Sequence, residues 1–198
     1  MKKILIILLA ILCIPVSSFA ISLSTLENNP QKRYEDLGGS TGIELYLDYN
    51  SVQSMVYNPP YYRMKVKVYG VVYNQLICAY SCVFDYDYYY SIESTGKRII
   101  AAMNENNESM DEDVYRERLD NSLRDYTGIE MTMEPIAVWT TKDRLISKNK
   151  TYLRKAANQF SAIYGIPNVL DRTFPIEYDS NGYELAQYIF HSYYNQYF

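Results

Sequence analysis

Histidine is nearly absent from this sequence, in which His191 is the single example. A histidine-based metal centre draws on several imidazoles, and a catalytic triad places a histidine beside a serine or cysteine nucleophile. The one G-x-S-x-G match, Gly38 to Gly42, is followed by an alternating, strand-like segment, whereas a nucleophile elbow joins a strand to a helix. A single histidine excludes a histidine-based metal centre and argues against a catalytic triad. We therefore interpret His191 as an exposed or core-edge side chain.

Cysteine is scarce as well, and only Cys78 and Cys82 follow residue 20. On one regular strand their Cα atoms would lie roughly 13 Å apart, whereas a disulfide spans about 4.4–6.8 Å. A bond therefore requires a turn or bulge within 79–81, and without one both cysteines are free and buried. Two cysteines without a nearby histidine are too few for zinc, so we predict no structural metal.

Phosphate-binding patterns are also missing, and basic residues do not predominate. The 8 glycines form no phosphate loop or dinucleotide fingerprint, and no EF-hand loop is present, so we expect no cofactor. Basic residues number 19 against 23 acidic ones. Because nucleic acids and anionic membranes select clustered lysine and arginine, we expect neither as a partner.

The start of the sequence has the layout of a cleavable export signal. Lys2 and Lys3 precede an apolar run over 4–16, and the small residues Ser18 and Ala20 suit cleavage after Ala20. The run is shorter than the roughly 20 residues that span a bilayer, which argues against an anchor. We expect an exported protein, periplasmic, cell-surface or secreted, with no membrane span after cleavage. Loss of the two lysines changes its net charge from −4 to −6.

The rest of the chain divides into an arm at 21–42, interpreted as loosely ordered or a short edge segment, and a single domain at 43–198. Residues 62–68 alternate, with Tyr62, Met64, Val66 and Val68 facing one way and Arg63, Lys65 and Lys67 the other. Such alternation is typical of an antiparallel strand in a sheet that is covered on one side.

Strands dominate the first half of the domain and helices the second. Further strands are predicted at 43–47, 76–90, 97–103 and 129–141, and helices between Ser109 and Gly128, at 148–164, and from about 180 nearly to the C-terminus. The turn predicted at 94–96 makes 97–103 a hairpin partner of the strand before it. This order predicts an α+β fold, an antiparallel β-meander with about three helices packed on one face.

Tyrosine is unusually abundant, with 23 residues. It can complete a core, line a peptide or carbohydrate platform, or replace Phe and Leu on half-exposed strands. Tyr86, Tyr88, Tyr89 and Tyr90 fall within five residues, and a strand would send neighbouring rings to opposite faces. With one face uncovered some rings are exposed, and we predict that they bind a partner. The alternative is a tyrosine ladder that stabilises the sheet through cross-strand pairs.

Carboxylates are the catalytic groups that composition does not exclude. A pair of Asp or Glu residues suffices for glycoside hydrolysis, and the pair can come from distant segments. A secreted carboxylate-dependent hydrolase using Asp48, Asp85 and Asp87 is therefore the rival hypothesis. We favour a non-enzymatic binding protein, because the export signal and the tyrosine excess are accompanied by no catalytic constellation.

Several short segments resemble one family. Residues 46–52 read Tyr-Leu-Asp-Tyr-Asn-Ser-Val and precede the alternating strand, and residues 83–86 are followed by Lys-Arg-Ile-Ile at 97–100. Residues 174–176, with Ser180 and the last helix, complete the set. Together they resemble the surface-adhesin E-like family of small bacterial envelope proteins, where a strand ends in an Asp-x-x-Ser-Ile type turn and a hairpin follows. The likeness covers roughly 43–103 and 174–190.

This resemblance implies an α+β envelope domain, which in some members attaches to host extracellular-matrix proteins. The expected partner is therefore an envelope protein or a host matrix protein. The tyrosine content makes a glycan a third candidate partner. Two cysteines that the family often carries are Asp85 and Phe190 here, and the segment 110–167 is longer than the family leads us to expect.

We expect Ile21 to be the N-terminal residue of the exported protein, because Ser18 and Ala20 present the small residues that signal peptidase requires. Intact-mass analysis of the exported protein should show loss of residues 1–20. A mature protein that retains these residues would contradict the prediction.

Overall fold

The structure, a computed structural model, describes residues 21–28, 33–40, 42–164 and 172–198, so the predicted export signal lies outside the described residues. Its strands are β1 Tyr34–Ser40, β2 Ile43–Asn58, β3 Tyr61–Val72, β4 Leu76–Asp87, β5 Ile129–Thr140, β6 Leu145–Ser147 and β7 Thr173–Pro175. Its helices are α1 Leu23–Asn28, α2 Ile92–Glu105, α3 Glu112–Asp125, α4 Lys150–Tyr164 and α5 Asn181–Tyr194, with a short 3-10 helix at Tyr88–Tyr90.

The strands form one seven-stranded antiparallel sheet. Strands β1 to β6 lie side by side in chain order, and β7 pairs with β5 through Glu130 and Pro175. Each neighbouring pair is antiparallel, so the predicted meander and the α+β class are confirmed. The described residues contain five helices rather than about three. The predicted arm contributes α1 and the edge strand β1.

The main core lies on one face of β3, where the alternation places it. Tyr62, Met64, Val66 and Val68 are all buried, whereas Arg63 and Lys65 are exposed and Lys67 is half-buried. Helix α5 covers this face with its own apolar stripe, and the two sets meet in one cluster. The stripe consists of Leu185, Ala186, Ile189 and Phe190. Burial of this stripe fixes α5 on the sheet, because each large apolar side chain contributes about 1.5–3 kcal/mol.

A second, smaller core occupies the opposite face near the other end of β3. Tyr69 is 6% exposed there and packs with Trp139 of β5 and Ile77 of β4. Ile21 and Leu26, the latter from α1, cover this cluster. The sheet is therefore covered on both sides at this end, which the pattern of residues 62–68 does not predict.

Residues 97–103, predicted as a strand, lie in helix α2. Ser91 caps the helix, since its Oγ accepts a hydrogen bond from the Ser94 amide at 3.2 Å. Thr95, Ile99 and Met103 are spaced four residues apart and face inward. The Ser-Thr-Gly sequence at 94–96 therefore belongs to the first turns of a helix and not to a hairpin turn.

Strand β2 continues through the turn that the family resemblance places at 48–51. Asp48 pairs with Lys67, and Gln53 pairs with Lys65. Strand β2 therefore has more residues than β3 between these two pairs. The Ser51 hydroxyl donates to the Asp48 carbonyl oxygen and accepts from the Lys67 amide, both at 2.7 Å. The polar residues thus form a bulge inside a long strand.

Cys78 and Cys82 both lie on β4 and are free. Residues four apart on a strand share a face without being close enough to bond. Cys82 is buried and Cys78 is half-buried, and burial raises the pKa of the Cys82 thiol to about 12. Of the two alternatives, a disulfide or two free cysteines, the structure shows the second.

Val66→Asp should destabilise the protein by roughly 3 kcal/mol or more, because Val66 is 1% exposed and the new carboxylate has no partner there. Lys65→Glu changes charge on the exposed side of the same strand and should shift stability by less than about 0.5 kcal/mol. Urea unfolding of both variants measures the difference. Equal midpoints would show that the faces of β3 are wrongly assigned.

Candidate binding surface

The predicted tyrosine segment does not continue as a strand to its end. Strand β4 stops at Asp87, whose carboxylate accepts a hydrogen bond from the Tyr89 amide at 3.1 Å and caps the 3-10 helix Tyr88–Tyr90. The Tyr88 amide donates to the Pro60 carbonyl at 2.8 Å, which ties this turn to the β2–β3 hairpin. The four rings therefore take three different environments.

Tyr86 belongs to the main core and is 2% exposed. Its hydroxyl donates to the Ala186 carbonyl at 2.9 Å, and its ring lies 5.0 Å from Phe190 and 5.1 Å from Phe198. Complete burial holds its pKa well above the ordinary tyrosine value. A ring in this position is not accessible to a partner, so Tyr86 is a core residue.

Tyr88 joins a layer of rings that reaches solvent at the tip of the β2–β3 hairpin. We call this layer the tyrosine surface; its members are Tyr57, Tyr62, Tyr88, Tyr193 and Tyr194. Tyr57 lies 5.5 Å from Tyr62 and 5.8 Å from Tyr194, and Tyr62 lies 6.0 Å from Tyr88. Tyr193 extends the layer through Tyr194, at 5.1 Å.

Exposure across the tyrosine surface increases outward from the core. Tyr62 is 7% exposed and packs 5.2 Å from Phe190, whereas Tyr57 and Tyr193 are 67% and 52% exposed. Tyr194 lies between these extremes, with its hydroxyl 2.8 Å from the Ser54 hydroxyl. Because exposed rings pack on buried ones, the outer rings are held in place before any partner arrives.

Tyr89 and Tyr90 form a second cluster with Arg98 of α2. The guanidinium lies 3.9 Å from the Tyr89 ring centre and 5.9 Å from that of Tyr90, within cation–π range. It also donates to the Tyr89 carbonyl and, at 3.0 Å, to the Thr95 hydroxyl. Tyr89 is 52% exposed, while Tyr90 is half-buried against Tyr126 at 4.8 Å.

The carboxylates of the hydrolase hypothesis all have structural partners. Asp48 is fully buried, and its two oxygens accept hydrogen bonds from Nε and Nη2 of Arg33 at 2.9 and 2.8 Å. This hydrogen bonding raises the pKa of Arg33 above its ordinary value. Asp85 pairs with Arg63 at 2.6 and 3.2 Å. With Asp87 engaged as a cap, none of the three is poised as a paired acid and base.

An acidic depression of about 520 Å³ lies beside α1, between β1 and β2. Its carboxylates are Glu27, Glu35, Asp36 and Glu44, and the Tyr46 hydroxyl donates to Glu44 at 3.2 Å. Within the described ranges no group of three or more His, Cys, Asp or Glu side chains is arranged to hold a metal ion. The helices described there likewise include none with the length and apolar character needed to cross a membrane.

His191 stacks on the Tyr197 ring, with 4.4 Å between the ring centres, and is half-buried. Of the two positions predicted for it, exposed or core-edge, the half-buried side chain fits the second. The described hydrogen bonds include none between His191 and a serine or cysteine side chain.

Tyr57, Tyr193 and Tyr194 are the residues of this surface that the sequence reasoning missed. The break at Asn58-Pro59-Pro60 signals a hairpin tip and so marks Tyr57 as a tip residue. Phe190 and Tyr194 are four apart on a helix, a spacing that predicts a shared face. Contact between the hairpin and the helix has no signature in either segment.

Comparisons of the chain with protein-family models, with curated proteins and with solved structures found no match.

Stability should fall as the pH rises above about 10, because buried phenols resist ionisation. Burial, and then the hydrogen bond to Glu93, raises the pKa of Tyr88 to about 12, and burial also raises that of Tyr62. Unfolded tyrosine titrates near about 10. The contribution of Tyr88 is thus fully present below pH about 10 and is lost as the pH rises through about 12.

Urea unfolding at a series of pH values between about 8 and 12 measures this loss. Tyr88→Phe keeps the ring and removes the ionisable hydroxyl, so its stability should fall less steeply over this interval than that of the unchanged protein. Identical slopes for the two proteins would contradict a raised pKa for Tyr88.

Proposed function

We propose that this protein is an exported, non-enzymatic binding protein of the bacterial envelope or cell surface, and that it contacts its partner through the tyrosine surface. The observation that carries the proposal is the pair of exposed rings, Tyr57 and Tyr193, supported by the partly buried Tyr194. An apolar ring with a polar hydroxyl gains contact area and a hydrogen bond together.

Support of the rings from below reduces the entropy lost on binding. Tyr194 is restrained at both ends, by the Ser54 hydroxyl at 2.8 Å and by the Phe190 ring at 4.8 Å. Tyr57 packs on Tyr194 and Tyr62. A partner therefore meets rings that are already ordered, and ordering each free side chain would otherwise cost about 0.5–1.5 kcal/mol.

The partner that we propose is an envelope protein, a host matrix protein or a glycan. Adhesion to host matrix follows from the resemblance to the surface-adhesin E-like family. Export rests on residues 1–20, and the residue after the predicted cleavage site, Ile21, packs in the second core with Leu26.

The alternative hydrolase has less support from the geometry. Asp48 and Asp85 are each paired with an arginine, and Asp87 caps the 3-10 helix. A catalytic carboxylate must be within reach of the substrate proton that it gives or takes. Because these carboxylate oxygens are already engaged by arginine or by the backbone, binding is the function that the described side chains favour.

Tyr57→Ser with Tyr193→Ser should abolish partner retention while changing the melting temperature little, because both rings are mostly exposed. Immobilised protein is incubated with an envelope extract and, separately, with purified extracellular-matrix proteins and glycans. The matched control is Tyr152→Ser with Tyr188→Ser, which removes two exposed rings elsewhere. The control should retain every partner that the unchanged protein retains.

Tyr89→Ser tests whether the originally predicted segment participates. Loss of retention in this variant would extend the binding surface to the Arg98 cluster. Equal retention by the Tyr57 and Tyr193 variant and by the unchanged protein would overturn the proposal. A lowered melting temperature with unchanged retention would assign these rings to structure.

A further inference from the structure

The sheet face opposite the tyrosine surface carries a second depression, with a volume of about 410 Å³. Four lysines line it: Lys65 and Lys67 of β3, Lys148, and Lys150 at the start of α4. Lys65 and Lys67 project away from the main core, because side chains alternate along β3 and Val66 between them is buried. We call this site the lysine depression.

Positive charge in the lysine depression is largely uncompensated. Glu134, the one carboxylate among the described lining residues, pairs with Lys150 at 2.9 Å. Lys65, Lys67 and Lys148 have no ion pair with any described residue. The excess is local, since the chain carries a net charge of −4. A concave site of one sign in a chain of the opposite sign concentrates ligands of complementary charge.

The spacing of the lysines indicates a ligand with more than one anionic group. Lys65 and Lys67 are two residues apart on β3, or roughly 7 Å, and their strand is separated by roughly 10 Å from β5, where Lys150 meets Glu134. A ligand with several anionic groups can meet lysines on both sides of the depression at once, whereas one carboxylate or phosphate offers a single centre of charge. The flexible stems of lysine suit separate point charges better than the planar, two-pronged recognition typical of arginine.

We propose that the lysine depression binds a compact polyanion that carries two or more carboxylate, sulfate or phosphate groups. The volume lies within the range of small-molecule sites, about 300–1,000 Å³. Ser81 in the lining adds a hydroxyl donor, and the positive end of the α4 dipole lies at Lys150. Single-stranded nucleic acid is disfavoured, because the described lining residues include no aromatic ring on which a base could stack.

Calorimetric titration at low salt tests the proposal with tripolyphosphate, citrate and a sulfated disaccharide, which separate the phosphate, carboxylate and sulfate sources. Inorganic phosphate is the single-anion reference. At least one polyanion should bind about tenfold more tightly than inorganic phosphate, and its affinity should fall as salt is added. Failure of all three to bind overturns the proposal.

Lys65→Gln with Lys67→Gln should weaken that binding by about tenfold or more, since two charge-assisted contacts are lost. Lys142→Gln with Lys155→Gln makes the same change of charge outside the depression and should alter affinity by less than about threefold. Glu134→Gln should strengthen binding, because it removes the repelling carboxylate and releases Lys150. Equal weakening by both lysine pairs would reveal a non-specific charge effect and overturn the proposal.

Two further measurements make the interpretation specific. A short single-stranded oligonucleotide that binds more tightly than every compact probe, with the same dependence on Lys65 and Lys67, would assign the site to nucleic acid and overturn the proposal. The Tyr57→Ser with Tyr193→Ser variant should retain its polyanion affinity, because its substitutions lie on the other face. Failure of one proposal therefore leaves the other standing.

Discussion

The two faces of strand β3 are chemically different, and the rest of the molecule is arranged around this difference. Val66 is buried beneath helix α5, whereas Lys65 and Lys67 stand on the other side. Side chains alternate with a period of two, so a slip of one residue would bury the lysines and expose the apolar set. The register of β3 against β2 and β4 therefore determines which residues form the main core, the tyrosine surface and the lysine depression.

Tyrosine allows the main core to extend to the solvent without a change of residue type. In the interior, the Tyr86 hydroxyl is satisfied by the Ala186 carbonyl, which avoids the cost of an unpaired buried polar group. Nearer the surface, Tyr194 meets Ser54, and at the outermost layer the Tyr57 ring is open to water. The tyrosine surface is therefore a continuation of the core, and its rigidity comes from the packing beneath it.

The parts of the fold that local patterns determine were predictable from the sequence. The residues of β3 alternate with the period of a strand, and the apolar residues of α5 recur with the period of a helix. Both patterns agree with the structure. Helix α2 was misread because Ser-Thr-Gly suits a hairpin turn as well as a helix start, and Ser91 decides between them by capping. Tyr88–Tyr90 leave the strand because Asp87 caps a 3-10 turn and Pro60 accepts a hydrogen bond from Tyr88.

Neither candidate site had a local signature, because each is assembled from segments far apart in the chain. Tyr57 meets Tyr194 only when the hairpin packs on α5, and Lys65 and Lys150 line one depression only when α4 begins beside β5. The two sites also differ chemically, since one offers neutral rings and the other offers charge. The two candidate sites lie on opposite faces of the same sheet, because Tyr62 and Lys65 face opposite ways along β3. The two proposals are therefore independent of each other, since a ligand on one face would leave the other face open.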